Sequence, residues 1–199
     1  MRSEVRYAGG APFRPLEEQG RNLRGRSRND LVHVDSFPTR PAHGRRLLRF
    51  FTNIHPSKPR SWIISQSFGE LAPRMARQAG LAECAAPVPP AKQRLRRLLA
   101  VAARAGRIRV VERSAYDRFM LRFHNYLKDN REFQRDCPKE TFEFPPGSTW
   151  IAFTDAVSHA VVSGQYALEQ TFFVPVSSMV QPDKSPLRIL ETMAGLPLA

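Results

Sequence analysis

A chain of 199 residues, 42% of them hydrophobic, can close one hydrophobic core and is too short for two full-sized domains. A net charge of +13 and a pI near 10.9 select partners that carry negative charge: nucleic acid, an acidic membrane surface, or a phosphorylated or carboxylated substrate. Cys84 and Cys137 lack a second thiol at metal-ligand spacing, which excludes a disulfide framework and a zinc ribbon; no apolar run reaches membrane-spanning length, and the start lacks the apolar stretch of a secretory signal, so a reducing, cytoplasmic setting is expected.

Residues 1–30 are rich in Arg, Gly and Glu and poor in apolar positions, which predicts irregular structure; Arg21, Arg24, Arg26 and Arg28 read most simply as a solvated basic loop. The next stretch, Leu31 to Pro38, is expected to be extended. Side chains alternate faces along a strand, so His33 and Asp35 can reach one metal ion. His159, in the run Thr154 to Ala160, is the candidate third ligand. Two imidazoles and one carboxylate suit iron(II) and leave coordination positions open for a cosubstrate and O₂. For the tripeptide alone, the competing reading is a surface histidine beside an aspartate that starts a turn.

Two prolines and a glycine between Pro38 and Gly44 make a turn, and the branched and aromatic run Arg45 to Asn53 predicts a strand. Arg46 and Arg49 have opposite parity on it, so only one guanidinium can face a pocket, where a carboxylate would match its fork; the alternative leaves both at the surface. Arg60 to Ser65 predicts another strand. The period then changes: Phe68, Leu71, Met75 and Ala79, next Leu95, Leu98, Leu99 and Ala102, then Tyr116, Phe119, Met120, Phe123 and Leu127 predict three amphipathic helices. The second bears Lys92, Arg94, Arg96, Arg97 and Arg104, a solvated face or a contact for phosphate or a membrane surface. His124 reads as a packed histidine rather than a fourth ligand. Strands are expected over Thr149 to Thr154, Ala160 to Val162 and Tyr166 to Val174, and a short helix over Ser185 to Leu196. Antiparallel strands closing into a small barrel would bring Asp35 and His159 together.

The run His33 to Pro41, followed by Arg46 to Pro56, resembles the bacterial 3-deoxy-D-manno-oct-2-ulosonic acid (Kdo) hydroxylases. So do Arg113 to Asp117, Phe144 to Trp150, Phe153 to Ala160 and Leu168 to Phe172, with the similarity running in order from about Phe13 to the C-terminus. The resemblance implies an Fe(II)/2-oxoglutarate-dependent dioxygenase that hydroxylates C3 of Kdo in the inner core of lipopolysaccharide. It implies an α+β fold with a double-stranded β-helix (jelly-roll) core, as one domain over residues 1–199 with residues 68–128 a helical insertion between the halves of the barrel. It makes His33, Asp35 and His159 the iron ligands.

Many dioxygenases place an arginine shortly after the second histidine to hold the distal carboxylate of 2-oxoglutarate, whereas this chain has Glu169-Gln170-Thr171 there. Gly44-Arg45-Arg46 matches a second arrangement, a basic residue on the strand after His-x-Asp. Arg46 is therefore the expected anchor and Arg49 the fallback, with Asn53, Gln170 and Thr171 as polar lining. The implied cofactors are Fe(II) and 2-oxoglutarate, with ascorbate as an accessory reductant. The implied partner is a Kdo-containing lipid A precursor at the anionic surface of the inner membrane, with Arg21, Arg40 and Arg60 as unassigned contacts. Family members carry a substantial region before His-x-Asp, so this barrel is expected to lack some N-terminal elements. The rivals are an inactive remnant of the fold and a basic nucleic-acid-binding module; for the latter there is neither a recognised motif nor a set of interleaved stacking aromatics.

Overall fold

The computed structural model describes residues 6–7, 13–20, 22–23, 25–87, 89, 94, 99, 106 and 111–199. Its strands, in chain order, are β1 (Arg6–Tyr7), β2 (Phe13–Arg14), β3 (Arg46–Asn53), β4 (Arg60–Ser67), β5 (Glu140–Phe144), β6 (Thr149–Phe153), β7 (Val157–Ser163) and β8 (Ala167–Val174). They form two antiparallel sheets. The larger has the order β1-β8-β3-β6, with β2 also paired to β8; the smaller has the order β5-β4-β7. β3 and β8 pair along their full length, from Arg46 opposite Val174 to Asn53 opposite Ala167. This is the α+β jelly-roll arrangement expected from the sequence.

Between β4 and β5 the described chain is helical: α1 (Phe68–Met75), α2 (Leu81–Ala85), α3 (Ala115–Asp129) and α4 (Arg131–Asp136); α5 (Pro186–Ala194) follows the last strand. The starts of α1 and α3 are set locally. Ser67 with Glu70, and Ser114 with Asp117, each form a reciprocal capping box that satisfies N–H groups left over at a helix start. The first predicted helix, Phe68 to Ala79, ends early at Met75; Gly80, in the left-handed conformation (φ 88°), then turns the chain into α2, which the sequence reading did not include.

Further expectations are corrected or fall outside, and one strand was not expected. Residues 1–30 are not wholly irregular, since β1 and β2 pair with β8. The strand Glu140–Phe144 was not predicted, and it shows no buried alternation because all but its last residue are exposed. The extended piece around Ala160 is longer, running over Val157–Ser163. The second predicted helix, Leu95 to Ala102, lies almost wholly outside the described residues, as does Arg21.

Two cores result. The larger packs α1, α2, α3 and α5 together around Phe68, Phe119, Phe123, Leu127 and Leu190. The smaller fills one end of the space between the sheets with Phe51, Trp62 and Val161, against Phe144 and Trp150. The segment Val32 to Asp35 lies at their junction: Val32 and Val34 are 1% and 0% exposed in the helical core. His33 and Asp35, with the opposite parity, face a cavity between the sheets. Burying two valines this completely stabilises the fold by roughly 3 to 5 kcal/mol and thereby fixes which way the two polar residues point.

Candidate active site

The strand that carries His33 and Asp35 is bonded on both edges. On one, His33 and His159 exchange backbone hydrogen bonds of 2.9 Å in each direction, an antiparallel bridge that puts their side chains on the same face. Asp35 N–H donates to the Thr154 carbonyl at 2.8 Å. The other edge is completed by side chains from the helices. Gln134 of α4 accepts from Val32 N–H at 2.9 Å and donates to the Val32 carbonyl at 2.8 Å, imitating a neighbouring strand. His124 of α3 contacts the Val34 carbonyl through Nδ1 at 2.7 Å.

The side chains of His33, Asp35 and His159 converge with their donor atoms facing one another. His33 Nδ1 lies 2.7 Å from the Leu31 carbonyl and His159 Nδ1 lies 3.0 Å from the Val157 carbonyl. A carbonyl only accepts, so Nδ1 carries the proton in each ring and Nε2 keeps its lone pair. Those Nε2 atoms stand 3.5 Å and 4.0 Å from the two oxygens of Asp35. Burial disfavours the imidazolium and pushes His33 down to about 3; it lowers His159 as well. Burial alone would raise Asp35, but Arg49, His33 and His159 outweigh it and hold the carboxyl well below its ordinary value. At neutral pH the cluster is two neutral imidazoles and one carboxylate, the protonation state a divalent metal needs. Trp62 stacks on His159 at 5.2 Å between centroids and fixes the ring plane.

The structure brings His33, Asp35 and His159 together and adds His124. Ligand atoms of His33, Asp35 and His124 lie within 4.8 Å of one another, and burial lowers His124 to about 4. The packed histidine of the sequence reading is therefore also a wall of the metal cavity.

The expected anchor residues separate. Arg46 faces away from the cavity, where its guanidinium makes a two-pronged ion pair with Asp155 (2.7 and 3.1 Å) and lies over the Phe153 ring. Arg49 points in. It pairs with Asp35 through Nη1 and with Glu169 through Nη2 at 2.6 Å, and Glu169 in turn pairs with Arg14 at 3.0 Å. Asn53 is spent on the chain itself, donating to the carbonyls of Lys58 and Phe144 and accepting from His55 N–H, all at 3.0 Å. Thr171 is buried opposite Arg49 in the β3–β8 register but is not part of the cavity wall, and Gln170, of the other parity, is exposed.

Sequence reasoning passed over Trp62 and left Arg60 unassigned. The two share a parity on β4, both are buried, and both line the cavity. Strand parity was the signal that could have found them. Arg60 Nη1 donates to the Gly164 carbonyl at 2.7 Å, and a Cβ at Gly164 (φ 107°) would come 2.9 Å from the Arg60 backbone, so this approach requires glycine. The buried Arg49 Nε, Arg60 Nε and Trp62 Nε1 have no hydrogen-bond partner among the described residues. All three residues line the cavity that holds the His and Asp cluster, about 270 Å³ in volume. Buried donors are normally satisfied, so three orphaned N–H groups on residues of one cavity wall stand out as donors that lack an acceptor.

Comparison with known proteins decides the family. The family model for 3-deoxy-D-manno-oct-2-ulosonic acid (Kdo) hydroxylase matches residues 4–197. The chain belongs to the Kdo hydroxylase family. Among solved structures it is similar to the Kdo hydroxylase KdoO, a non-heme Fe(II) α-ketoglutarate-dependent dioxygenase. In complex with α-ketoglutarate and Fe(III), that protein matches with TM-score 0.80 and 41% identity, over 94% of this chain and 60% of the other. Its cobalt(II) complex matches with TM-score 0.82 and 40% identity, over 98% of this chain and 61% of the other. This chain thus spans about three fifths of the length of these solved relatives. No curated protein matches it.

Proposed function

We propose that this Kdo hydroxylase family member is an Fe(II)/2-oxoglutarate-dependent dioxygenase that hydroxylates C3 of Kdo in a Kdo-containing lipid A precursor. The observation that carries the reading is one cavity with two complementary parts: the His33, Asp35 and His159 set with both Nε2 lone pairs open, and the three unpartnered N–H donors of Arg49, Arg60 and Trp62. The solved relative KdoO, bound to α-ketoglutarate and Fe(III), supplies the matching chemistry.

In this reading His33, Asp35 and His159 hold Fe(II), and Arg49, Arg60 and Trp62 take the far carboxylate of 2-oxoglutarate. When bound, the metal supplies the coupling of 2-oxoglutarate decarboxylation to oxidation of a C–H bond. The chain's own residues orient and exclude water. Arg49 and Arg60 offer charge-assisted hydrogen bonds, and Trp62 adds a neutral donor that also fixes His159. Arg49 is the anchor in place of Arg46, because Arg49 lines the cavity whereas Arg46 lies on the far side of β3, paired with Asp155. The Val32 to Asp35 edge, bonded on both sides, keeps the ligands from following the substrate's movements.

No helix among the described residues is long and apolar enough to cross a membrane. In this reading a lipid-borne acceptor is met at the cytoplasmic membrane surface, where the +13 charge favours approach. The test is to supply Fe(II), 2-oxoglutarate, ascorbate to keep the metal reduced, and Kdo-lipid A. The expected result is one succinate formed for each oxygen atom gained by the lipid; a folded, iron-loaded protein that makes neither product contradicts the reading.

A further inference from the structure

Lys128 has no place in the account so far. It lies on α3 one turn after His124, so both side chains share one face of the helix, and both line the metal cavity. Only 6% of it is exposed, and its Nζ makes one hydrogen bond among the described residues, to the Arg26 carbonyl at 3.1 Å. The neighbouring acids are occupied. Asp35 faces the metal cluster and Arg49, and Asp30 is gripped by Arg28 at 2.9 and 2.6 Å. The Arg26 guanidinium turns outward to Asp129 at 2.7 Å. A buried ammonium with one neutral acceptor is costly unless something negative joins it. Burial accordingly lowers Lys128 to about 8.

We propose that Lys128 recognises the carboxylate of the acceptor sugar and so selects a 2-ulosonic acid over a neutral sugar. The inference rests on the dioxygenase reading for the identity of the acceptor and goes beyond it in naming what holds that acceptor. The chemistry of a 2-ulosonic acid explains why the anion site must be deep. Its carboxylate is carried on C2 and the carbon to be oxidised is C3, so a sugar that presents C3 to the metal brings its carboxylate along, within the same cavity. Lys128 meets that demand because it stands one helical turn from His124, whose ring touches His33 edge-on at 4.8 Å between centroids. It comes from the helical wall, whereas Arg49, Arg60 and Trp62 come from the two sheets, so cosubstrate and acceptor acids have separate partners.

Calorimetric binding of free Kdo, of its C1 methyl ester and of 2-oxoglutarate to the metal-free protein tests this without turnover. Wild type should bind the acid about tenfold to a hundredfold more tightly than the ester, the worth of one charge-assisted hydrogen bond. Lys128→Met should bind acid and ester alike while its affinity for 2-oxoglutarate stays within twofold; Lys128→Arg should recover part of the preference and guards against a folding artefact. An acid preference that survives Lys128→Met, a wild type with no preference, or a loss confined to 2-oxoglutarate overturns the proposal. The dioxygenase reading fails separately, if wild type forms no succinate from 2-oxoglutarate with Fe(II).

Discussion

The two sides of the cavity differ in how completely they are satisfied. On the ligand side, backbone groups from Val32 to Asp35 are bonded by His159, Thr154, Gln134 and His124, and Nδ1 of each ligand histidine is fixed on a carbonyl. On the donor side, Arg49, Arg60 and Trp62 each keep a buried N–H without an acceptor. A metal needs ligands that are held before it arrives, and a strand bonded on both edges provides that. A cosubstrate needs donors that are not already spent, and orphaned N–H groups provide that at a cost to stability of about 1 to 3 kcal/mol each until the ligand binds.

Substitutions separate the two sides. The largest effect is expected on the ligand side: His159→Ala or Asp35→Ala should lower iron affinity by more than a hundredfold and abolish succinate formation, read by metal analysis and product assay. Next comes Gln134→Leu, which leaves Val32 N–H and C=O without their partner. It should destabilise the fold by about 2 to 3 kcal/mol and weaken iron binding about tenfold to a hundredfold, with 2-oxoglutarate affinity of the iron-loaded protein unchanged. Trp62→Phe keeps an aromatic ring against His159 and removes the indole N–H along with part of the indole's volume. It should weaken 2-oxoglutarate binding about fivefold to tenfold and leave iron binding intact; an iron defect of equal size would mean that the two sides are not separable.

The pH dependence separates the two sides least, because it probes the ligand side alone. His33 and His124 fall to about 3 and about 4 in the folded protein. Below their ordinary value of about 6.5 the unfolded chain takes up protons that the folded chain refuses. The metal-free protein should therefore lose thermal stability as pH falls from about 6.5 toward 4. Asp35 has the opposite ionic form but the same sign: its depressed value stabilises the fold above its unfolded value and gives way only at lower pH. A melting temperature independent of pH across that window would contradict buried, neutral imidazoles.

What was legible in the sequence follows the same division. The V-H-V-D alternation and the period-2 strands are local, so the face shared by His33 and Asp35 could be read directly, and the family motifs placed His159 beside them. Parity also showed that Arg46 and Arg49 could not both face inward, but not which one did. That choice is made by Asp155, which draws Arg46 to the opposite face across 109 positions of sequence. Gln134, 102 positions from Val32, has no local signal at all, because its role exists only once α4 packs along an unpaired strand edge. Asn53 looked like lining and proved to be a corner residue, since its partners are backbone carbonyls that no pattern announces. Arg60 and Trp62 were within reach: they share a face of β4, and the aromatic and branched composition of that strand hid their polar atoms.

The most direct measurement is an anaerobic titration of the protein with Fe(II) and then with 2-oxoglutarate, followed by the visible charge-transfer absorption of an Fe(II)–2-oxoacid chelate. The account predicts one iron per chain and saturable absorption that is lost in His159→Ala and shifted to higher 2-oxoglutarate concentration in Trp62→Phe. A folded chain that binds no Fe(II), or binds it and shows no such absorption with 2-oxoglutarate, would contradict it.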